Sequence, residues 1–386
     1  MSSGGSIHHV LPMRIPVHDH AELYHEHRSE IDAAIARVLG SGRVDWGDEV
    51  PSFEQEFAAY LEARFAIAVG SGTAALTAAL RAIGVGPGDE VITVANTDLA
   101  DSVAISTVGA SIVWVDIDPK SRCIDTRACE AAITSRTRAL LPVDMYGHPA
   151  DMEAMRRIAD SHGLALIEDA CLALGAEIAG RRVGTLADVT CFSLSPGKHL
   201  AAYGLAGACT TEDAALADLI RKLSSDGQTR EWHDGSQQHI GLHHETEGSN
   251  ERMDEIQAAV LRTKLPYLDE TLAARRAQAE RYTECLEGHA ELPREKAGVR
   301  HAWRNYVIEV DGRDALAAHL YACGIGCSAP YSPPQHRQPV YANLGYAVGD
   351  LPKTERSGSR LLALPLGPHL NLEQIDLVAD AVCAGL

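Results

Sequence analysis

Between residues 65 and 210 the chain alternates short, wholly apolar runs with amphipathic stretches, a pattern that few folds accept. The candidate strands are 65–69, 90–94, 112–116, 139–143, 164–168, 189–192 and 206–210, with helical spacing at 73–83, 99–108, 126–133 and 151–162. A strand apolar on both faces must be covered on both faces. The alternation therefore predicts an α/β fold built on a mostly parallel seven-stranded sheet flanked by helices. Right-handed crossovers then bring the loops that follow the strands to one edge, where ligands of such sheets bind.

Segments 30–39 and 52–63 read as helices ahead of this region. After it, 224–248 is polar and without period, and reads as a long functional loop. Helices are expected at 253–265 and 267–286, and a second alternation follows. It comprises a strand at 305–310, a helix at 314–323, a proline-rich loop at 330–339, and helices near 353–362 and 372–384. A length of 386 residues exceeds what one core usually supports. The expected division is a large unit over 1–250 and a smaller C-terminal α/β unit over 251–386.

A formal net charge of −19 argues against nucleic acid or an anionic membrane as partner. No apolar run approaches the roughly 20 residues of a spanning helix. Residues Met1 to His9 are polar and lack an apolar signal core, so the expected location is cytoplasmic. The nine cysteines are odd in number and mostly sit in apolar runs, which reads as buried reduced thiols. Cys323 and Cys327 lack a second Cys/His pair, so no metal site is expected. The histidine groups His8-His9, His18 with His20, His25 with His27, and His243-His244 read as solvated surface.

Three segments at predicted strand ends carry chemistry. Gly70-Ser71-Gly72-Thr73 leaves a strand and opens a helix, where unpaired N–H groups and the positive dipole end suit a phosphate. It lacks the spacing and acidic partner of a dinucleotide fingerprint. Asp169 ends the run Leu164-Ala165-Leu166-Ile167-Glu168, and Ser193 and Lys198 lie in Phe192-Ser193-Leu194-Ser195-Pro196-Gly197-Lys198-His199. Alone, each reads as a cap or loop residue. Together they meet the needs of a pyridoxal phosphate site: a phosphate cradle, a carboxylate for the pyridinium nitrogen and a lysine amine for the carbonyl carbon.

With these motifs in place, the chain resembles the DegT/StrS family of sugar aminotransferases, enzymes of the fold type I class. The resemblance runs through Ser71-Gly72-Thr73-Ala74-Ala75-Leu76, Gly86-Pro87-Gly88-Asp89-Glu90, Tyr146-Gly147-His148-Pro149, Glu168-Asp169-Ala170, Pro196-Gly197-Lys198, Asn250-Glu251-Arg252-Met253-Asp254-Glu255 and the 331–341 loop. It implies pyridoxal 5'-phosphate as cofactor, passing through pyridoxamine 5'-phosphate. Lys198 is implied as the Schiff-base lysine and Asp169 as the pyridinium partner. Gly72, Thr73 and Ser193 are implied at the phosphate, Ala74 as a further cofactor contact, and Asp98 and Leu172 around the ring. Asn250 is implied to reach the neighbouring subunit's phosphate, making a homodimer with shared sites. His199, Arg252, Tyr331 and His336 are the implied substrate contacts.

The implied reaction moves an amino group from glutamate or glutamine to a keto-sugar, with a nucleotide-linked 3-keto sugar favoured by Gly147-His148-Pro149 and Pro334-Gln335-His336-Arg337. A 4-keto nucleotide sugar and a keto-cyclitol are the alternatives. A catalytically silent regulatory homologue is the alternative of a different kind. Lys198 argues against the related dehydratase branch, which carries histidine there. Four positions depart from the family's habit: Asp98 for an aromatic ring, Leu172 for glutamine, His199 for asparagine and Leu205 for an acid. They gather around the ring, which points to an altered cofactor environment or an unusual acceptor.

Overall fold

In a computed structural model, described for residues 14–232 and 239–386, the seven apolar runs form one sheet. Its strands are β1 (Phe65–Val69), β2 (Glu90–Val94), β3 (Ser111–Val115), β4 (Thr137–Leu140), β5 (Ala165–Asp169), β6 (Val189–Ser193) and β7 (Gly207–Thr211). Their order across the sheet is β1-β7-β6-β5-β4-β2-β3. β7 runs antiparallel to both neighbours, and every other pair is parallel. β2 and β7 are buried at every residue, as an apolar run covered on both faces requires.

Short polar side chains fix where the helices flanking the sheet start. Ser71 accepts from Ala74 N–H, Asp151 from Ala154 N–H and Asp213 from Ala215 and Leu216 N–H. One core built around the sheet includes Ile67, Leu76, Ile92, Leu140 and Ile167. A second packs Phe192 against Phe53 and Phe57 of the helix Glu49–Leu61, and reaches Leu261 of the helix Glu255–Lys264.

A further core holds the C-terminal part together. Strands Tyr306–Glu309 and Leu361–Leu364 pair antiparallel, and helices Leu268–Leu286, Arg313–Ala322 and Leu372–Gly385 supply Tyr282, Leu320, Ile375 and Val378. The helix expected near 353–362 ends at Arg360. Leu361-Leu362-Ala363-Leu364 is apolar throughout and buried at every residue, and pairing with Tyr306–Glu309 satisfies its backbone. Between the two parts, Arg122 Nε donates to Glu309 Oε1 (3.1 Å), which also accepts from Ser357 Oγ (2.9 Å). All three residues are buried.

The polar stretch 224–248 forms the hairpin Gln228–Trp232 with His239–His244, residues 233–238 lying outside the described part. The expectations for Met1 to His9, including His8-His9, also fall outside it. No described helix is long and apolar enough to cross a membrane. All nine cysteines are free, and Cys191 lies directly opposite Cys209 on β6 and β7.

Candidate active site

The segments marked at strand ends meet at one edge of the sheet. After β1, Gly70 N–H donates to Glu251 O (2.6 Å), and Ser71 caps the helix Gly72–Ala82. The Ser71 hydroxyl takes the Ala74 N–H (3.1 Å), so Ala74 is held in the cap. Gly72 and Thr73, at the first turn, have no acceptor within the helix and keep their N–H groups for an anion. A methyl group on Gly72 would fall 2.8 Å from Ser193 Cβ and 3.0 Å from Cys171 Sγ. Ser193 at the end of β6 therefore faces that turn directly, and only glycine fits between them.

Asp169 closes β5 and is buried; its Oδ1 accepts from Cys171 N–H (2.9 Å). Beside it stands a carboxyl the sequence did not single out. Asp101 is fully buried, takes a hydrogen bond on Oδ2 from Thr97 Oγ1 (3.1 Å), and its Oδ1 has no partner among the described residues. Burial, and then the neighbouring Asp169 charge, raise Asp101 well above the usual carboxylate range, so it keeps its proton against Asp169. Glu168 and Asp144, behind Asp169, are likewise raised, chiefly by burial.

Lys198 follows the Ser195-Pro196-Gly197 turn. Its stem is half-buried and its amine lies deep. Burial pulls that amine below the ordinary lysine value, and Arg304 acts the same way. Cys171, Asp169 and Asp98 oppose them. The result is an amine with a larger unprotonated fraction than a surface lysine, which a nucleophile needs.

The rim differs in part from expectation. Tyr331 is half-buried, with its ring 6.1 Å from that of Tyr146. His199 is buried and donates from Nε2 to Ala302 O (2.9 Å), which makes it a strut under residues 302–304. Burial, with Arg275 and Arg304 nearby, holds its imidazole well below the ordinary value, hence neutral. His336 is turned to Glu355 (3.1 Å), and the adjacent Gln335 reaches the rim, its Nε2 donating to Thr97 O at 3.1 Å. Arg252 lies over the Trp46 ring (4.9 Å) and pairs with Asp45 and Asp226, each at 3.5 Å. Asn250 is exposed beside that segment. Asp98 is exposed and accepts from Ala100 N–H (3.1 Å), while Leu172 is packed in the sheet core. His18, expected at the surface, lies 3.4 Å from Arg304 Nη2 and lines a cavity with Lys198, Tyr203, Lys264 and Arg275.

The cradle at Gly72, Thr73 and Ser193, the buried carboxylate of Asp169 and the depressed amine of Lys198 fit a phosphorylated pyridine aldehyde. Among the described residues no group of three or more His, Cys, Asp or Glu is placed to hold a metal ion. Residues 25–383 match the model of the DegT/DnrJ/EryC1/StrS aminotransferase family. The chain belongs to this family. The aminotransferase is 44% identical over 371 residues to the dTDP-3-amino-3,4,6-trideoxy-alpha-D-glucose transaminase of Streptomyces venezuelae, covering 96% of this chain and 95% of that one. It is also 44% identical over 375 residues to the erythromycin biosynthesis sensory transduction protein EryC1 of Saccharopolyspora erythraea, covering 97% of this chain and all of that one (100%). The crystal structure of S. venezuelae DesV in complex with a ketimine intermediate superposes with a TM-score of 0.91 at 44% identity, covering 97% of this aminotransferase and 98% of that chain.

Besides Asp101, sequence reasoning passed over Ser71, Gln335, Arg275 and Arg304. Ser71 alone had a readable signal, a helix-capping serine before Gly72. The others lie far in sequence from the residues they meet, and only the fold brings them to the site.

Proposed function

We propose that this aminotransferase is a pyridoxal phosphate-dependent enzyme that transfers an amino group from glutamate or glutamine to a nucleotide-linked 3-keto sugar, in amino-sugar or antibiotic biosynthesis. The observation that carries the reading is the convergence of Lys198, Asp169 and the Gly72–Ser193 cradle at one sheet edge. The cofactor, when bound, supplies an electron sink for the carbon that loses its proton.

The chain's own residues do the rest. Gly72 and Thr73 N–H and the Ser193 hydroxyl bind the phosphate, and Asp169 holds the proton on the ring nitrogen. Lys198 Nζ would hold the cofactor through its aldehyde carbon and, when free, would carry a proton to and from the reacting carbon. The 3-keto preference draws on the S. venezuelae transaminase, whose product name places the amine at that carbon. The name of EryC1 keeps a regulatory reading in view, but the intact Lys198 and Asp169 favour chemistry.

Exposed Leu99, Val103, Tyr203 and Leu205 support a homodimer whose partner covers the site and brings Asn250 to it. The division into 1–250 and 251–386 follows the separate C-terminal core, with the helix Glu255–Lys264 packed back on the larger part. Nine free thiols suit a reducing, cytoplasmic setting. The test is an amination assay with glutamate and with glutamine across 3-keto and 4-keto nucleotide sugars and a keto-cyclitol. Product only from the 3-keto substrates supports the reading, and product only from the others overturns its substrate class.

A further inference from the structure

Arg304 stands out among the charged groups of the site. It is 9% exposed, and its Nε and Nη1 have no hydrogen-bond partner among the described residues. Among the described residues no carboxylate lies within ion-pair distance, and the neighbour at Nη2 is the His18 ring (3.4 Å). A buried guanidinium left this way is costly unless an anion completes it.

Its placement is fixed from several sides. Ala302 N–H donates to Gly147 O (2.8 Å) and Asn305 N–H to Tyr146 O (3.2 Å). His199 holds Ala302 O, and Arg275 Nη1 donates to Trp303 O (3.3 Å) and Arg304 O (3.4 Å). Gly147, at φ 101°, permits this approach, since a side chain there would fall 2.8 Å from Arg304 N. The guanidinium stays near enough to act electrostatically on Lys198, on Tyr331 and on His199. The chain thus holds a rigid cation within electrostatic reach of the reacting amine, next to His18, which lines the cavity that holds Lys198.

We propose that Arg304 is the oxyanion anchor of this active site and holds the α-carboxylate of the amino-acid donor through its Nε–Nη edge. This rests on the transaminase reading above. A carboxylate pairs with that edge through parallel N–H···O bonds. The choice of carboxylate over a nucleotide phosphate follows from position. An α-carboxylate sits on the carbon that bears the transferred amine, whereas the phosphates of a nucleotide sugar lie across the sugar ring. An anchor beside Lys198 and buried from solvent matches the former.

The experiment compares the wild-type holoenzyme with Arg304→Gln and Arg304→Lys, following each half-reaction by the cofactor's absorbance. Arg304→Gln should raise the KM for glutamate by about 10–100-fold, and the KM for the nucleotide sugar should stay within about threefold. Arg304→Lys should fall between, having charge without the planar fork. Calorimetry on the cofactor-free protein with glutarate should show binding that Arg304→Gln loses. On wild type alone, 4-aminobutyrate, which has no carboxylate on the amine-bearing carbon, should be the poorer donor by a similar factor. An unchanged donor KM with a raised sugar KM overturns the proposal in favour of the phosphate. Equal use of glutamate and 4-aminobutyrate overturns it even if the variants do not fold. If wild type transaminates no donor at all, the function reading itself fails.

Discussion

Gly72 and Ser193 approach so closely that a Cβ on the glycine would lie 2.8 Å from the serine Cβ. This packs the first turn of one helix against the end of β6 and puts backbone N–H groups and a hydroxyl around one small volume. Ser193→Ala removes one hydrogen bond to a charged group and should weaken cofactor affinity by about 10–100-fold, with the melting temperature of the cofactor-free protein unchanged. Gly72→Ala should lower both, because Ser193 and Cys171 must shift. Fluorescence titration with pyridoxal phosphate and a thermal melt measure the two effects. Equal cofactor affinity in Ser193→Ala would remove that hydroxyl from the phosphate site.

Lys198→Ala should abolish turnover by at least about a thousandfold while pyridoxamine phosphate still binds, since the cradle and Asp169 remain. Asp169→Asn keeps the shape and removes the charge. It should bind cofactor more weakly and slow both half-reactions together, because both draw on the same ring. Stopped-flow absorbance separates them. A loss in one half-reaction alone would place Asp169 at a substrate and away from the ring nitrogen.

The sheet was legible because its strands are apolar on both faces and alternate with amphipathic segments along the chain. The reversal of β7 was not, since an apolar run carries no mark of direction. Leu361 and Leu362 read as the tail of a helix because their partners in Tyr306–Glu309 are far away in sequence. In the site, Lys198, Asp169, Gly72 and Ser193 stood out through short motifs. Asp101, on the helix Ala100–Thr107, and Arg304, just before the strand Tyr306–Glu309, lie in no such motif. Their meaning comes from desolvation, which belongs to the packed molecule and not to any one segment.

Asp101 gives a pH dependence whose sign can be worked out. Its folded pKa is raised, chiefly by burial, so the native state holds a proton that the unfolded chain releases above about pH 4. Its contribution to stability is therefore lost as pH rises through the folded value and is retained below the ordinary carboxylate range. Asp101→Asn mimics the protonated form and removes this loss. Relative to wild type it should be more stable at about pH 8 than at about pH 5, as read from denaturant midpoints of the cofactor-free proteins. A parallel pH dependence in the two proteins would show that Asp101 is ionised in the native state.

The ion pair between Arg122 and Glu309 ties the loop after β3 to the C-terminal strand pair, and both side chains are shielded from water. Breaking a buried pair on one side costs more than the pair contributes, because the remaining charge loses its nearest partner without regaining solvent, Glu309 keeping only the longer contact to Arg360 (3.9 Å). Glu309→Ala also strips Ser357 Oγ of its acceptor. Each single variant should therefore lose about 3–5 kcal/mol. A double replacement by apolar residues of similar volume, Arg122→Met with Glu309→Leu, should recover much of that loss. A double-mutant cycle on denaturant unfolding measures the coupling. If the double variant is as unstable as the two single losses added together, the pair is not coupled, and the connection between the two parts of the chain rests on apolar packing alone.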